Sequence, residues 1–359
     1  MYPYREKVGN YVDEKTGVPV ISLYGSKHKP SPDDLKDVDV LIFDIQDVGI
    51  RFYTYIASLQ EYIEAAIEND KPLLIFDRPN PNGFYVDGPI LDPKFKSFVG
   101  MQPVPIVYGM TIGEYSKMLL FERWINKDLA DKLSEPDTVT GHAYLHDPTV
   151  KYPDYLVISA TWFGDDNLHL VDFPYNKFHL RVINCENYNH RSKYILPVKP
   201  SPNLPEIQSV YLYPSTCLFE GTVLSEGRGT DKPFEIFGHP LLPHNLYSFT
   251  PKPNEGAKSS KHYYEACYGW NLNGSPEEVL KKIDNHIQLK WLIEAYKLFP
   301  GKDTFFLKTN YFNRLAGNDV LMQQIKDGIS EEEIRKSWEP ALSEFKKIRK
   351  KYLLYEDFE

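Results

Sequence analysis

The chain has 359 residues, 42% hydrophobic and 25% charged, which is the balance of a folded globular protein and too long for one ordinary core, so two domains are expected. Its formal net charge of −9 argues against nucleic acid as a partner, because binding phosphates needs a basic face. The 3 cysteines, Cys185, Cys217 and Cys267, show neither metal-ligand spacing nor a disulfide framework, Met1 opens no signal-like apolar segment, and no apolar run is long enough to span a membrane.

In chain order, Val18 to Gly25 reads as a short strand closed by glycine. Ser31-Pro32-Asp33-Asp34-Leu35 reads as a brief helix, with serine as cap and proline at the first helical position. Val40-Leu41-Ile42-Phe43 is an apolar run of the kind found in strands buried on both faces. It gives way at once to Asp44, Gln46, Asp47, Gly49 and Arg51. Thr54 to Asn69 carries Ile56, Leu59, Ile63, Ala66 and Ile67 at helical spacing. Lys71 to Phe76 repeats the strand pattern and ends in Asp77-Arg78-Pro79-Asn80. Strand, helix, strand is a βαβ unit, and open α/β sheets bind ligands beyond the carboxyl ends of their strands. Asp44, Gln46, Asp47, Arg51, Asp77, Arg78 and Asn80 are therefore candidates for a functional rim. The alternative is that each Asp–Arg pair only locks a tight turn.

Val104 to Tyr108 is expected to be another strand, joining those near Val20, Leu41 and Leu74 in one parallel sheet. Thr111 and Glu114 form a capping box for a helix running through Tyr115, Met118, Leu119 and Trp124. Residues 126–178, rich in Asp, Pro, Tyr and His, read as an irregular surface insertion rather than a metal site, since no tight histidine spacing occurs. Leu180 to Ile183 returns to the strand pattern.

Lys199 to Pro205 cannot be regular, because proline removes donors and fixes φ, and it reads as a stiff platform loop. FEGT, SEGRGT and PFE follow. Their glycines let backbone N–H groups approach a ligand, and Glu220, Glu226, Arg228 and Glu235 supply charge of both signs. A glycine-rich hairpin with solvated ends is the alternative. No lysine stands in P-loop register, which disfavours nucleotide phosphate. Beyond this, short β-like pieces at Tyr247 to Thr250, Tyr263 to Trp270 and Phe305 to Leu307 alternate with two helices. One is capped by Ser275 and runs from Val279 to Phe299; the other is capped by Ser330 and runs from Ile334 to Tyr352.

Taken together, FDIQDVGIRFYTYI, FDRPNPNG with the later DGP, and PSPNLP with FEGT, SEGRGT and PFE resemble the exo-β-N-acetylmuramidase family. Its members are bacterial glycoside hydrolases that release terminal N-acetylmuramic acid from peptidoglycan fragments. The resemblance covers about residues 10 to 359 apart from 126–178. It implies an α/β protein with a Rossmann-like parallel sheet domain over residues 1–199 and a second, smaller, β-containing α+β domain over 200–359, with the active site in the cleft between them. It also implies peptidoglycan-derived muramic acid glycosides as partners and a periplasmic or secreted location. No cofactor and no metal are expected.

Glycoside hydrolysis usually takes two carboxyl groups flanking the bond. The candidates are Glu220 and Glu226 from one rim and Asp44 and Asp47 from the other. Arg51, Arg78 and Arg228 are the candidates to fork onto the lactyl carboxylate of muramic acid. Tyr53, Tyr55 and Asn203 are candidates to contact the sugar ring. Gln46, Asp77, Asn80, Thr230 and Glu235 complete the expected substrate-binding set. Family members usually carry an N-terminal Pro-Glu-His-Gly motif whose Glu is a candidate catalytic acid. This sequence begins at Met1 just after the place where that motif falls, and it contains no such motif. The expectation is a chain that binds N-acetylmuramic acid and hydrolyses its glycosides poorly. A non-catalytic muramic acid- or peptidoglycan-binding protein is one alternative. A nucleotide-using Rossmann-type enzyme is another, although no G-x-G-x-x-G follows a first strand.

Overall fold

A computed structural model describes residues 9–23, 25, 27–134 and 178–359. Strands β1 (Tyr11–Val12) and β2 (Pro19–Val20) pair with each other in an antiparallel ladder of their own. The strand expected near Val20 is therefore not part of the main sheet. The turn at Asp13 to Gly17, closed by a 2.8 Å bond from the Gly17 N–H to the Asp13 carbonyl, folds it back onto its immediate neighbour.

After helix α1 (Pro32–Leu35) comes the expected strand–helix–strand unit, β3 (Leu41–Phe43), α2 (Tyr55–Glu68) and β4 (Leu73–Phe76), but β3 is buried on one face only, with Leu41 and Phe43 inside and Ile42 exposed. Helix α2 buries Ile56, Leu59, Ile63, Ala66 and Ile67, the residues that recur at helical spacing. Next come α3 (Ile112–Phe121), α4 (Lys127–Ser134) and β5 (Leu180–Ile183). The sheet is parallel, ordered β3–β4–β5, with Ile42 opposite Leu74 and Leu74 opposite Arg181.

Val104 to Tyr108 is not a strand of it. Val107 only bridges Ile50 and Asp87, antiparallel to each, because Pro103 and Pro105 deny the segment a continuous row of donors. Helix α3 starts at the expected Thr111–Glu114 capping box but stops before Trp124, which closes a turn onto the Leu119 carbonyl at 2.8 Å. Part of the expected insertion is regular, since α4 occupies its start; residues 135–177 lie outside the described residues.

The platform loop at 199–205 leads into a helix that the sequence pattern hides, α5 (Ile207–Thr216), with Pro214 inside it. Proline has no N–H for the Val210 carbonyl four residues back. Nδ2 of the fully buried Asn82 donates to that carbonyl instead, at 3.2 Å. A second, antiparallel sheet follows, ordered β6–β8–β7, from β6 (Ile236–His239), β7 (Tyr247–Phe249) and β8 (Cys267–Asn271). The single helix expected from Val279 to Phe299 is two, α6 (Pro276–Ile283) and α7 (Leu289–Leu298). Asp284 and Asn285, with φ of 47° and 54°, break it in the left-handed conformation that short polar side chains tolerate. Helices α8 (Tyr311–Ala316), α9 (Val320–Lys326) and α10 (Glu331–Lys350) complete the chain, the last capped by Ser330 as expected.

One apolar core runs from Leu35 and Phe43 through Ile106 and Phe237 to Trp338, so both sheets contribute to it, while Ile236, Phe249 and Cys267 of the second sheet form a small cluster of their own. Two arginines, Arg335 part-buried and Arg349 fully buried, stitch the two ends of the core. Arg335 holds Asp87 through both carboxylate oxygens, at 2.7 and 3.0 Å, and Nε of Arg349 donates to the Gly109 carbonyl at 2.8 Å.

Candidate active site

Helix α5 runs straight into a 3-10 turn, Cys217–Gly221. A Cβ on Gly221 would stand 2.4 Å from the Cα of Phe312, so only glycine lets this turn pack against α8. That contact sets Glu220 opposite Tyr311, whose hydroxyl donates to Oε2 of Glu220 at 3.3 Å. From the following loop, Arg228 reaches back. Its Nη2 and Nε donate to Oε1 of Glu220 at 2.6 and 3.2 Å, and Nε also stands 3.4 Å from Oε1 of Glu226. The guanidinium lies 4.9 Å from the centre of the Phe234 ring, an aromatic floor for the cation. Nζ of Lys261 donates to the other oxygen of Glu226 at 3.0 Å.

Glu220, Glu226, Arg228, Lys261 and Tyr311 line a cavity of about 600 Å³ together with the rest of the 256–261 loop, Leu307, Thr309 and Arg314. Burial alone would raise the pKa of Glu226, but the charges of Lys261 and Arg228 outweigh it and hold the carboxyl below its ordinary value. Burial likewise works against the Arg228 charge, and the Glu220 and Glu226 carboxylates more than offset it. The result is a guanidinium shared by two carboxylates, with a second cation behind one of them. An anionic carboxylate fixed in this way suits stabilising positive charge at a reacting sugar carbon.

The structure brings Glu220, Glu226 and Arg228 together, and it brings Asn203 to the edge of the cavity, where Nδ2 donates to the Gly256 carbonyl at 2.7 Å. The other expected residues do not line it. Arg51 is buried, and its Nη1 and Nη2 donate to the carbonyls of Pro89, Val104, Leu315 and Ala316 at 2.7–2.9 Å, so it cannot fork onto a substrate carboxylate. Asp47 is likewise inside. It accepts from the Gly49 N–H at 2.6 Å and from the Tyr108 hydroxyl, and burial pushes its pKa up to about 6. Both residues follow an apolar strand but turn inward to hold the next bend.

Asp44 and Arg78 pair with each other at 2.6 Å on the exposed end of the parallel sheet. Gln46 ties strand ends by donating to the Asp47 and Pro79 carbonyls at 2.8 and 2.9 Å. Asn80 donates to the Met110 carbonyl and accepts from the Asn82 N–H, both at 2.8 Å. The Tyr53 hydroxyl donates to the Pro200 carbonyl at 2.7 Å, and the Tyr55 ring packs edge-on against Tyr53 at 4.9 Å. Thr230 Oγ1 donates to the Gly227 carbonyl at 2.6 Å, and Glu235 accepts from Asn273.

Asp77 sits at the start of α3, accepting from the Gly113 N–H at 2.8 Å and from the Thr111 and Tyr355 hydroxyls, each at 2.7 Å. Burial pushes its pKa up to about 6. A nucleotide phosphate would seek this helix N-terminus, and the chain's own carboxylate already fills it.

The family described as "Exo-beta-N-acetylmuramidase NamZ" matches in both its parts, N-terminal over residues 3–208 and C-terminal over 211–355. The chain belongs to the NamZ family. It is 38% identical over 368 residues to the peptidoglycan β-N-acetylmuramidase NamZ of Bacillus subtilis (strain 168), an alignment covering 98% of this chain and 75% of that protein. The crystal structure of a DUF1343 family protein from Bacteroides fragilis NCTC 9343 is similar with a TM-score of 0.78 and 42% identity, covering 99% of this chain and 84% of its own. A second crystal structure of a DUF1343 family protein from the same organism, at 24% identity and a TM-score of 0.70, covers 96% of this chain and 82% of its own and shares the fold.

Several cavity residues of this NamZ-family chain escape a reading of the sequence, Lys258, Lys261, Tyr311 and Arg314 among them. Lys261 stands in SSKHYY and Tyr311 in TNYFN, where no periodicity or glycine pattern marks them. Only the packing of α8 and the 256–261 loop against the Glu220 turn gives them a place.

Proposed function

We propose that the chain is an exo-acting β-N-acetylmuramidase that removes terminal N-acetylmuramic acid from peptidoglycan fragments. The observation that carries this reading is the Glu220–Arg228–Glu226 constellation lining the cavity, in a chain of the NamZ family. Glycosidic cleavage passes through an oxocarbenium-like state with charge on the anomeric carbon. Glu226, held ionised, faces that charge. Glu220, with the Tyr311 hydroxyl on its far oxygen, is the carboxyl placed to exchange a proton with water or the leaving group. Lys258 and Arg314 join Arg228 and Lys261 around the cavity, in a chain whose net charge is −9, and this local excess of cations suits a sugar that carries a carboxylate. A periplasmic or secreted location goes with such a substrate.

A second reading, muramic acid binding without turnover, has one observation in its favour. Both carboxylates are paired with the same guanidinium, an arrangement that suits a fixed ion network as well as it suits chemistry. Hydrolysis of a chromogenic N-acetylmuramide, run beside calorimetric titration with N-acetylmuramic acid, separates the two. For the enzyme, Glu226→Gln lowers turnover by roughly 10²-fold or more while affinity changes little. Binding by the unmodified chain with no turnover leaves the binding protein.

A further inference from the structure

The Lys261 ammonium sits in a cage of oxygens. Its Nζ stands 2.8 Å from the Leu224 carbonyl, 2.9 Å from that of Phe219 and 3.4 Å from that of Glu220, besides 3.0 Å from Oε2 of Glu226. An ammonium has three N–H donors on tetrahedral directions. The Leu224 and Phe219 carbonyls take two of them, which leaves the third aimed at Glu226. The carbonyls come from the turn that carries Glu220 and from the segment entering Glu226, so one cation ties together the backbones beneath both carboxylates.

The loop that delivers Lys261 is itself held in an uncommon conformation. His262 and Tyr264 have φ of 57° and 58°, and the His262 ring is anchored by Nε2 at 2.8 Å from the Val223 carbonyl. Left-handed non-glycine residues persist where the surroundings over-determine them, and they cluster at functional sites. A lysine serving only as a surface charge needs neither the cage nor the strain.

We propose that Lys261 is a positioning residue for the reaction: its caged ammonium fixes the orientation and the charge of Glu226, and it does not itself touch the reacting atoms. The inference rests on the reading of this cavity as the glycosidase site. Among the described residues Arg228 is the other cation facing Glu226, and Glu220 shares Arg228, so removing Lys261 leaves Glu226 with one cation there that is already divided. The planar guanidinium of an arginine cannot fill a tetrahedral cage, so charge alone does not replace this lysine.

The test uses the full chain and the variants Lys261→Ala and Lys261→Arg, with folding followed by thermal unfolding. The Glu226 carboxyl is titrated by carbon-13 NMR and assigned by its absence in Glu226→Gln. In Lys261→Ala its midpoint should rise by about one unit or more, and ammonium chloride should bring it back where sodium chloride at equal ionic strength does not. With the chromogenic muramide, kcat should fall about 10²-fold with KM nearly unchanged, and ammonium should restore part of it. Lys261→Arg should fold and remain poor in kcat. A Glu226 midpoint that does not move, or wild-type kcat in Lys261→Arg, overturns the proposal. An unmodified chain with no turnover sinks the glycosidase reading, while the NMR titration still decides the role of Lys261.

Discussion

Nη2 of Arg51 donates to the carbonyl oxygen of Leu315 at 2.9 Å, a bond between residues 264 positions apart. With three more carbonyls on the same guanidinium, Arg51 is a fastener between the part of the chain built on the parallel sheet and helix α8. Burial lowers its pKa to about 9, a sign of how little water reaches it. Arg51→Met should cost about 3–5 kcal/mol in a denaturant titration, because four buried acceptors lose their donors at once. Turnover per folded molecule should stay within a few-fold of wild type. A large loss of affinity with stability intact would return Arg51 to the substrate site.

Gly49 offers a sharper steric test. A Cβ there would lie 2.1 Å from Oδ1 of Asn80, and its φ is +78°. Gly49→Ala should lower stability by roughly 1–3 kcal/mol from backbone strain alone, and by more where Asn80 cannot move. Measured against Asn80→Ala alone, which already lacks the Met110 and Asn82 bonds, adding Gly49→Ala should cost only the backbone part. Equal stability of Gly49→Ala and wild type in chemical denaturation would contradict this geometry.

Asp47 predicts a pH dependence with a definite sign. Its pKa is raised to about 6 from an ordinary 3.8, chiefly by burial, so between these values the folded chain binds a proton that the unfolded chain has released. The stabilisation from protonation is fully present below about 3.8 and is lost as pH rises through about 6. The two-unit shift is worth roughly 2–3 kcal/mol. Asp47→Asn cannot titrate. The stability of wild type relative to Asp47→Asn should therefore rise as pH falls from 7 to 4, and melting curves across that range that stay parallel would refute it.

Arg228 is asked to serve two carboxylates. Lys in its place can present one point charge and no fork. Arg228→Lys should retain the fold, since a cation still occupies the site above Phe234, but lower kcat/KM on a muramide by roughly 10²-fold. Kinetics indistinguishable from wild type would separate the guanidinium from the chemistry.

The parts of the fold legible in the sequence were those with strong periodicity or caps. The apolar runs at Leu41 and Leu73, the helical spacing from Ile56 to Ile67, and the serine or threonine caps at Thr111, Ser275 and Ser330 stand where the pattern puts them. Helix α5 was hidden because Pro214 speaks against a helix, and the group that compensates, Asn82, is far away in sequence. In the candidate site, the convergence of the glycine-flanked Glu220, Glu226 and Arg228 on one cavity was legible. Asp47 and Arg51 were misplaced because a polar residue after a buried strand reads alike whether it faces solvent or turns inward to satisfy backbone groups. Burial decides between the two, and burial is a tertiary property.

The hydroxyl of Tyr355 on Asp77, and the Leu354 N–H on Glu114 at 2.8 Å, carry a further consequence. Strands β3, β4 and β5 leave the ribosome well before these donors do. Until residues 354 and 355 emerge, the carboxyl at the head of α3 lacks one of its partners, and Glu114, which also faces His190 at 3.0 Å, lacks another. The parallel-sheet half is synthesised first and completed last, so a chain stalled during translation would lack these two donors at its rim.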